Sequence, residues 1–262
     1  MSEPFSVAAE GTTLVGDWRK GARNVCPLVL AHGFGGSRRD WGAVVDALPA
    51  DHSVLRYDQR GFGDSPYAET PYSHADDLLA LFDELDIARA DLCGMSLGGS
   101  TVLHFALDHP ERVHRLILVS PLIVGWSWSE EWIALWKAIG RLARADDMDG
   151  ARQAWLAHPL FDQVRGTDNE QYQREAIAAF HGRQWIADAA RPEVSDVERL
   201  HKLEPPTLLL TGERDMADFR LIADLIAGAA PEVTRIDYRE AGHMLTLERP
   251  AEIGKAIGEF VA

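Results

Sequence analysis

Positive charge is in short supply in this chain. Twenty-six Lys and Arg stand against 41 Asp and Glu in 262 residues, a formal net charge of −15. Such a surface repels phosphate backbones and anionic lipid, which excludes nucleic-acid and membrane-surface roles. A small anionic substrate is still admitted, because a local pocket can oppose the global sign. Cysteine is scarce as well. Cys26 and Cys93 each sit in a strand-like run, with no C-x-x-C pair and no metal-ligand spacing. Their expected state is the buried free thiol of a reducing compartment. No apolar run approaches the ~18 residues that span a bilayer, and Met1-Ser2-Glu3-Pro4-Phe5 lacks the basic and apolar regions of a signal peptide. Walker A, strand-linked G-x-G-x-x-G, H-E-x-x-H and Cys/His clusters are all missing, so neither cofactor nor metal is expected. The expectation is a soluble cytoplasmic protein, monomer or homodimer, whose partner is a small molecule.

What is present has ordinary globular proportions, 46% hydrophobic and 26% charged, which excludes disordered and coiled-coil readings. Strand-like and helix-like segments alternate in the first part of the chain. Thr12 to Arg19 reads as a strand near a sheet edge. Pro27 to Ala31 and Val113 to Val119 are continuous apolar runs, as in strands buried on both faces of a parallel sheet. Ser53 to Tyr57 and Ala90 to Gly94 read as further strands. Helical spacing marks Trp41 to Leu48, Leu78 to Leu85 and Gly98 to His109. From about 122 to 191 the β-branched runs vanish and helical periodicity takes over, with six of the eight tryptophans. Alternation then returns: strand Thr207 to Thr211, helix Phe219 to Ala227, strand Val233 to Tyr238 and helix Ala251 to Val261. The expected architecture is an α/β core of residues 1–121 and 192–262 with a helical cap at 122–191, inserted after the sixth strand.

The chemistry gathers at strand ends. Gly94-Met95-Ser96-Leu97-Gly98 matches G-x-S-x-G between a predicted strand and a predicted helix, the setting of a nucleophile elbow. A serine there is strained, its neighbours must be small, and the following helix N-terminus points at any oxyanion formed. Serine at its ordinary pKa also needs a base oriented by a third group. Leu208 to Asp215 is a strand running into a loop that carries an acid. Ile236 to His243 is a strand running into a loop that carries a histidine. The order Ser96, Asp215, His243 places one candidate at the carboxyl end of each of three strands, where open parallel sheets bind ligands.

With these residues the sequence resembles the α/β-hydrolase superfamily over essentially its whole length, and within it the small capped esterase, lactonase and haloperoxidase-like enzymes. The matching motifs are His32-Gly33-Phe34-Gly35-Gly36, Asp58-x-Arg60-Gly61-x-Gly63-x-Ser65, the Gly94 to Gly98 elbow, Gly212-x-x-Asp215 and Gly242-His243. The resemblance implies a mostly parallel sheet flanked by helices and a serine carboxylic-ester hydrolase acting through an acyl-enzyme. It assigns Ser96 as nucleophile, His243 as base, Asp215 as its orienting acid, and the backbone N–H groups of Phe34 and Leu97 as the oxyanion hole. The Asp58 to Ser65 segment reads as a structural turn. Aspartate-nucleophile dehalogenases and epoxide hydrolases are excluded by Ser96.

Glu213 and Asp218 are expected to face solvent or to cap the helix opening near Phe219, and Asp237 and Glu240 to lie on the surface. No carboxylate follows Val119-Ser120-Pro121, the other position the family uses for its acid. His52, His74, His104, His109, His114 and His201 read as solvated or packing residues. In the cap, Trp128, Trp132 and Trp136 recur every four residues along one helix side. Most of that stripe is expected to pack the cap on the core, with Trp126 and Trp128 facing substrate beside Phe34 and His181. The implied substrate is a small-to-medium hydrophobic ester or lactone. Two alternatives share the motifs: a carbon–carbon bond (β-diketone type) hydrolase on the same triad, or a non-catalytic ligand-binding member of the fold. Relatives that cleave dienoic ring-fission products carry tryptophan after the histidine and methionine after the nucleophile; here Met244 and Leu97 stand there. Such an enzyme also wants a cation over the substrate, and Arg141, Arg144 and Arg183 read instead as solvated helix residues.

Overall fold

A computed structural model describes residues 2–21 and 26–262. The strands are β1 (Glu3–Ala9), β2 (Thr12–Arg19), β3 (Leu28–Ala31), β4 (Val54–Tyr57), β5 (Ala90–Met95), β6 (Val113–Val119), β7 (Thr207–Gly212) and β8 (Val233–Tyr238). They form one sheet in the order β1-β2-β4-β3-β5-β6-β7-β8. β1 and β2 pair antiparallel, β2 meets β4 antiparallel, and every pairing from β4 onward is parallel. This is the α/β-hydrolase fold.

The inner strands carry apolar runs on both sides because both faces are covered. Leu28 and Leu30 point to one core with Met95, Val119 and Leu210, while Val29 and Ala31 point to the other with Leu92, Leu118 and Leu209. The first core is closed by α1 (Gly42–Ala47) and by α10 (Pro250–Phe260), through Val44, Val45, Ile253 and Ile257. The second is closed by α2 (His74–Glu84), α3 (Leu97–Asp108) and α8 (Ala217–Ala229), through Leu78, Phe82, Phe105 and Ile222. Between β6 and β7 the chain runs through α4 (Glu130–Arg144), α5 (Met148–Leu156), α6 (Glu170–Ala179) and the single turn α7 (Arg183–Ile186). A second short turn, α9 (Leu245–Glu248), follows β8.

One strand goes unread in the sequence, and one expectation is corrected. β1 carries no readable strand signal, because on this edge strand only Val7 is buried and the alternation that marks a strand is nearly absent. Cys26 is half-buried and precedes β3 rather than lying within it, whereas Cys93 is a buried thiol of β5; both are free. Among the described residues no helix is long and apolar enough to cross a membrane.

Candidate active site

Ser96 occupies the turn between β5 and α3 with φ 52° and ψ −113°, a backbone state that L-residues rarely adopt. The turn is possible only because its neighbours lack side chains. A Cβ at Gly94 would stand 2.1 Å from the Gly98 carbonyl oxygen, and one at Gly98 would stand 2.2 Å from that of Ala31. The strain is held by hydrogen bonds on both sides: Ser96 N–H donates to Val119 O at 3.0 Å, and Leu122 N–H donates to Ser96 O at 3.1 Å.

His243 lies in the loop after β8, and its Nδ1–H donates to the Asp215 carboxylate at 2.9 Å to Oδ2 and 3.1 Å to Oδ1. Asp215 itself is steadied by the Met216 N–H, 2.7 Å from Oδ1. Both side chains are 2% exposed, so their attraction acts with little screening. The Phe219 ring packs against the imidazole at 4.2 Å between centroids. With Nδ1 donating to Asp215, the other ring nitrogen, Nε2, is left buried without a hydrogen-bond partner among the described residues. Glu248, which sequence reasoning passed over, brackets the histidine: Gly242 N–H donates to Oε2 at 2.6 Å and Met244 N–H to Oε1 at 2.9 Å. Burial raises the Glu248 carboxyl above its usual range, against the pull of those two amides. No sequence pattern announces this clamp.

Ser96 and His243 open on one cavity of about 410 Å³, bounded also by Phe34, Leu97, Met95 and Met244. Among the described residues the N–H groups of Phe34 and Leu97 donate no hydrogen bond to the protein. Leu97 is the first residue of α3, where helical N–H groups lack internal acceptors. The Phe34 loop is fixed from below. His32 Nδ1–H donates to Gly33 O at 2.8 Å and its Nε2 accepts from Gln59 N–H at 3.0 Å. The Gln59 amide then reaches His32 O and accepts from Thr101 Oγ1 on α3. Above, the Phe34 ring meets Phe62, Trp136, Trp155 and Phe180 edge-on at 5.1 to 5.7 Å. The Asp58 to Ser65 turn supports this arrangement from outside: Asp58 accepts from Arg38 and from Asp64 N–H, and Arg60 makes a bidentate pair with Asp77.

The far wall is aromatic. Trp128 and Trp132 stack at 4.3 Å, and Trp132 and Trp136 lie nearly parallel at 6.2 Å. All three line the cavity, so the four-residue stripe faces the site rather than serving packing alone. Two expected contacts are corrected. Trp126 lies outside this cavity: its indole N–H donates to Asp218 at 3.0 Å, which turns the ring toward the α8 side. His181 is exposed, with Nδ1 accepting from Arg183 N–H at 3.1 Å and its ring against Tyr67 and Phe180, and it does not line the cavity.

Of the other acids near these strand ends, Glu213, Asp237 and Glu240 are exposed. Asp218 instead is buried, where solvent or a helix cap was expected. Its carboxylate accepts from Trp126 Nε1, Ser129 N and Ser129 Oγ, joining α8 to the chain that enters α4. His104 is a packing residue: it bonds buried Asp196 at 2.9 Å, and that carboxylate also takes Arg199. Three residues near the site were not foreseen. Asp40 lines the cavity, accepting from Tyr172 O–H at 2.6 Å and from Ser37 N–H; burial raises its pKa. The S-x-x-D spacing of a capping box at Ser37 and Asp40 was the available signal. Lys137 lines the cavity where Arg141, Arg144 and Arg183 do not. His158 is buried between Trp132 and Trp155 with its Nε2 unpartnered.

The alpha/beta hydrolase family matches residues 28–256, and the chain belongs to that family. It is 27% identical over 263 residues to carboxylesterase YbfK of Bacillus subtilis (strain 168), covering 92% of this chain and 82% of the relative. It is 27% identical over 256 residues to 2-hydroxymuconate semialdehyde hydrolase of Pseudomonas sp. (strain CF600), covering 90% of this chain and 87% of the relative. The crystal structure of the enol-lactonase from Burkholderia xenovorans LB400 is similar with a TM-score of 0.85 at 26% identity, over 98% of this chain and 99% of that one. Family, fold and relatives support a hydrolase.

Proposed function

We propose that this protein is a serine hydrolase that cleaves a carboxylic ester or lactone of a small-to-medium hydrophobic substrate through an acyl-enzyme. The observation that carries the reading is the His243–Asp215 pair at 2.9 Å, whose histidine lines the same cavity as the strained Ser96 and keeps its other ring nitrogen unpartnered. Ser96 Oγ attacks the carbonyl carbon while His243 Nε2 takes its proton. The negative charge that develops on the carbonyl oxygen is held by the N–H groups of Phe34 and Leu97. His243 then returns the proton to the departing alkoxide, water attacks the acyl-enzyme with His243 again as base, and the acid is released. Asp215 keeps the imidazole in the required tautomer and stabilises its cationic form. The aromatic wall of Trp128, Trp132 and Trp136 binds the apolar part of the substrate, with residues 122–191 acting as a cap over the site. Ester cleavage needs only the triad and two amides, whereas carbon–carbon cleavage must also protonate a carbon leaving group.

A fluorophosphonate probe should label Ser96, and Ser96→Ala should abolish labelling and lower ester turnover by about 10⁴-fold or more. Asp215→Asn should lower kcat by orders of magnitude while the protein stays folded. Activity of Ser96→Ala within about tenfold of wild type would overturn the mechanism. A kcat/KM for vinylogous diketones above that for every ester and lactone tested would replace the reading with carbon–carbon hydrolysis.

A further inference from the structure

We propose that Lys137 selects substrates whose acyl part carries a second, anionic group, a carboxylate held at the far end of an apolar spacer. This rests on the serine-hydrolase reading of the cavity and adds to it the charge of the substrate. Lys137 is the one cationic residue among the described residues that line the cavity. It follows Ile133 by one helical turn on α4, next to Trp136, and it is exposed while still lining the cavity.

Its charge is not spent elsewhere. Among the described residues Lys137 makes no ion pair and no side-chain hydrogen bond, whereas Lys20 pairs with Glu3 and Lys255 with Glu259. Two acids share the cavity lining, and both are engaged. Asp40 accepts from Tyr172 O–H and Ser37 N–H, and Asp188 accepts from Tyr72 O–H at 3.0 Å and Ala190 N–H at 3.0 Å. In a chain with 41 acidic and 26 basic residues, Lys137 is the unpaired cation at the cavity that an anionic ligand could meet. A neutral substrate gains nothing from it. An ester at Ser96 with an apolar middle against Trp132 and Trp136 would place a terminal carboxylate toward the ammonium.

The test compares monomethyl esters of linear diacids, from succinate to suberate, with the matching dimethyl esters. The length series finds the spacer that spans Ser96 to Lys137. For the best monoester, Lys137→Ala should lower kcat/KM about fivefold, chiefly through KM, the size of a solvent-exposed charge pair. Lys137→Glu should lower it by about tenfold or more, and Lys137→Arg should restore most of it. The dimethyl esters should change by less than about twofold in every variant. Equal effects on charged and neutral esters, or none on either, would overturn the proposal. A second arm needs no turnover: calorimetric binding of the free diacids to Ser96→Ala should weaken when Lys137→Glu is added, and unchanged affinity would also overturn it. Failure of the fluorophosphonate to label Ser96 would remove the hydrolase reading while leaving this binding arm decisive for Lys137.

Discussion

Asp218 offers a sharp test of how the helical segment is fastened to the sheet. Its carboxylate accepts from the Trp126 indole N–H at 3.0 Å, from the Ser129 N–H at 3.1 Å and from the Ser129 hydroxyl. The Ser129 Oγ also accepts from Trp132 N–H at 3.2 Å, so the contact continues into the first turn of α4. Asp218→Ala strips acceptors from three donors at once. A hydrogen bond to a charged acceptor contributes about 1.5–3 kcal/mol, and a buried donor left unpaired costs about 1–3 kcal/mol. The bonds are only part-buried, so water reaches some of the freed donors and the low end applies. The expected loss is about 3 kcal/mol, a fall in Tm of roughly 6–12 °C for a chain of this size. Asp218→Asn keeps one oxygen for the two N–H groups but turns an amide toward the serine hydroxyl. Its expected cost is about 1–2 kcal/mol. Urea unfolding followed by tryptophan fluorescence reads both variants, since six of the eight tryptophans lie between residues 122 and 191. A stability of Asp218→Ala within about 0.5 kcal/mol of wild type would refute the anchor.

Two further outcomes follow from the groups around His243. Glu248→Gln should lower kcat about tenfold or more with little change in KM, because the amide accepts only one of the two N–H groups that fix the histidine loop; unchanged kcat in steady-state assays would dismiss the clamp. His158 has its pKa pushed down from 6.5 to about 4 by burial, with the His243 and Arg165 charges adding to the effect. A depressed folded pKa contributes stability that is full above 6.5 and lost as the pH falls toward 4. The stability of wild type relative to His158→Phe should therefore fall by about 3 kcal/mol between those limits, measured by urea unfolding across pH, and a constant difference would contradict it.

What could be read from the sequence, and what could not, divides along a physical line. Where backbone must pass close to backbone, only glycine fits, and such constraints leave a mark in sequence. Gly94 and Gly98 are needed because the elbow folds back to 2.1 Å of a would-be Cβ. Gly212 is needed because the Gly242 carbonyl oxygen would lie 2.1 Å from its Cβ, which is how the loop carrying His243 crosses the strand that leads to Asp215. The inner strand runs are equally legible, since burial on both faces favours continuous apolar residues. Side-chain meetings across the helical segment obey no such rule. Trp126 and Trp128 are two residues apart and both indoles are half-buried, yet one bonds Asp218 and the other faces the cavity. Asp218 resembled a solvent-facing residue in the first turn of α8 because nothing local announces Trp126 and Ser129, some ninety positions away.

The same line explains why the sheet specifies a reaction class more tightly than a substrate. β3, β5, β7 and β8 run parallel, so the loops carrying Phe34, Ser96, Asp215 and His243 all leave the sheet at one edge. Strand register fixes their spacing: Ala31 pairs with Gly94, Met95 with Val119 and Gly212 with Tyr238. A one-residue slip in any of these strands would move every side chain from one core to the other, so register is held by the packing of both cores. The cavity's far wall has no comparable support. Trp132, Trp136 and Lys137 sit on the surface of one helix, and exchanging them leaves the sheet untouched. Substrate choice can therefore change through a few residues of α4 while the geometry at Ser96 stays as it is. That asymmetry places the decisive specificity experiments on Lys137 and its tryptophan neighbours rather than on the strands beneath them.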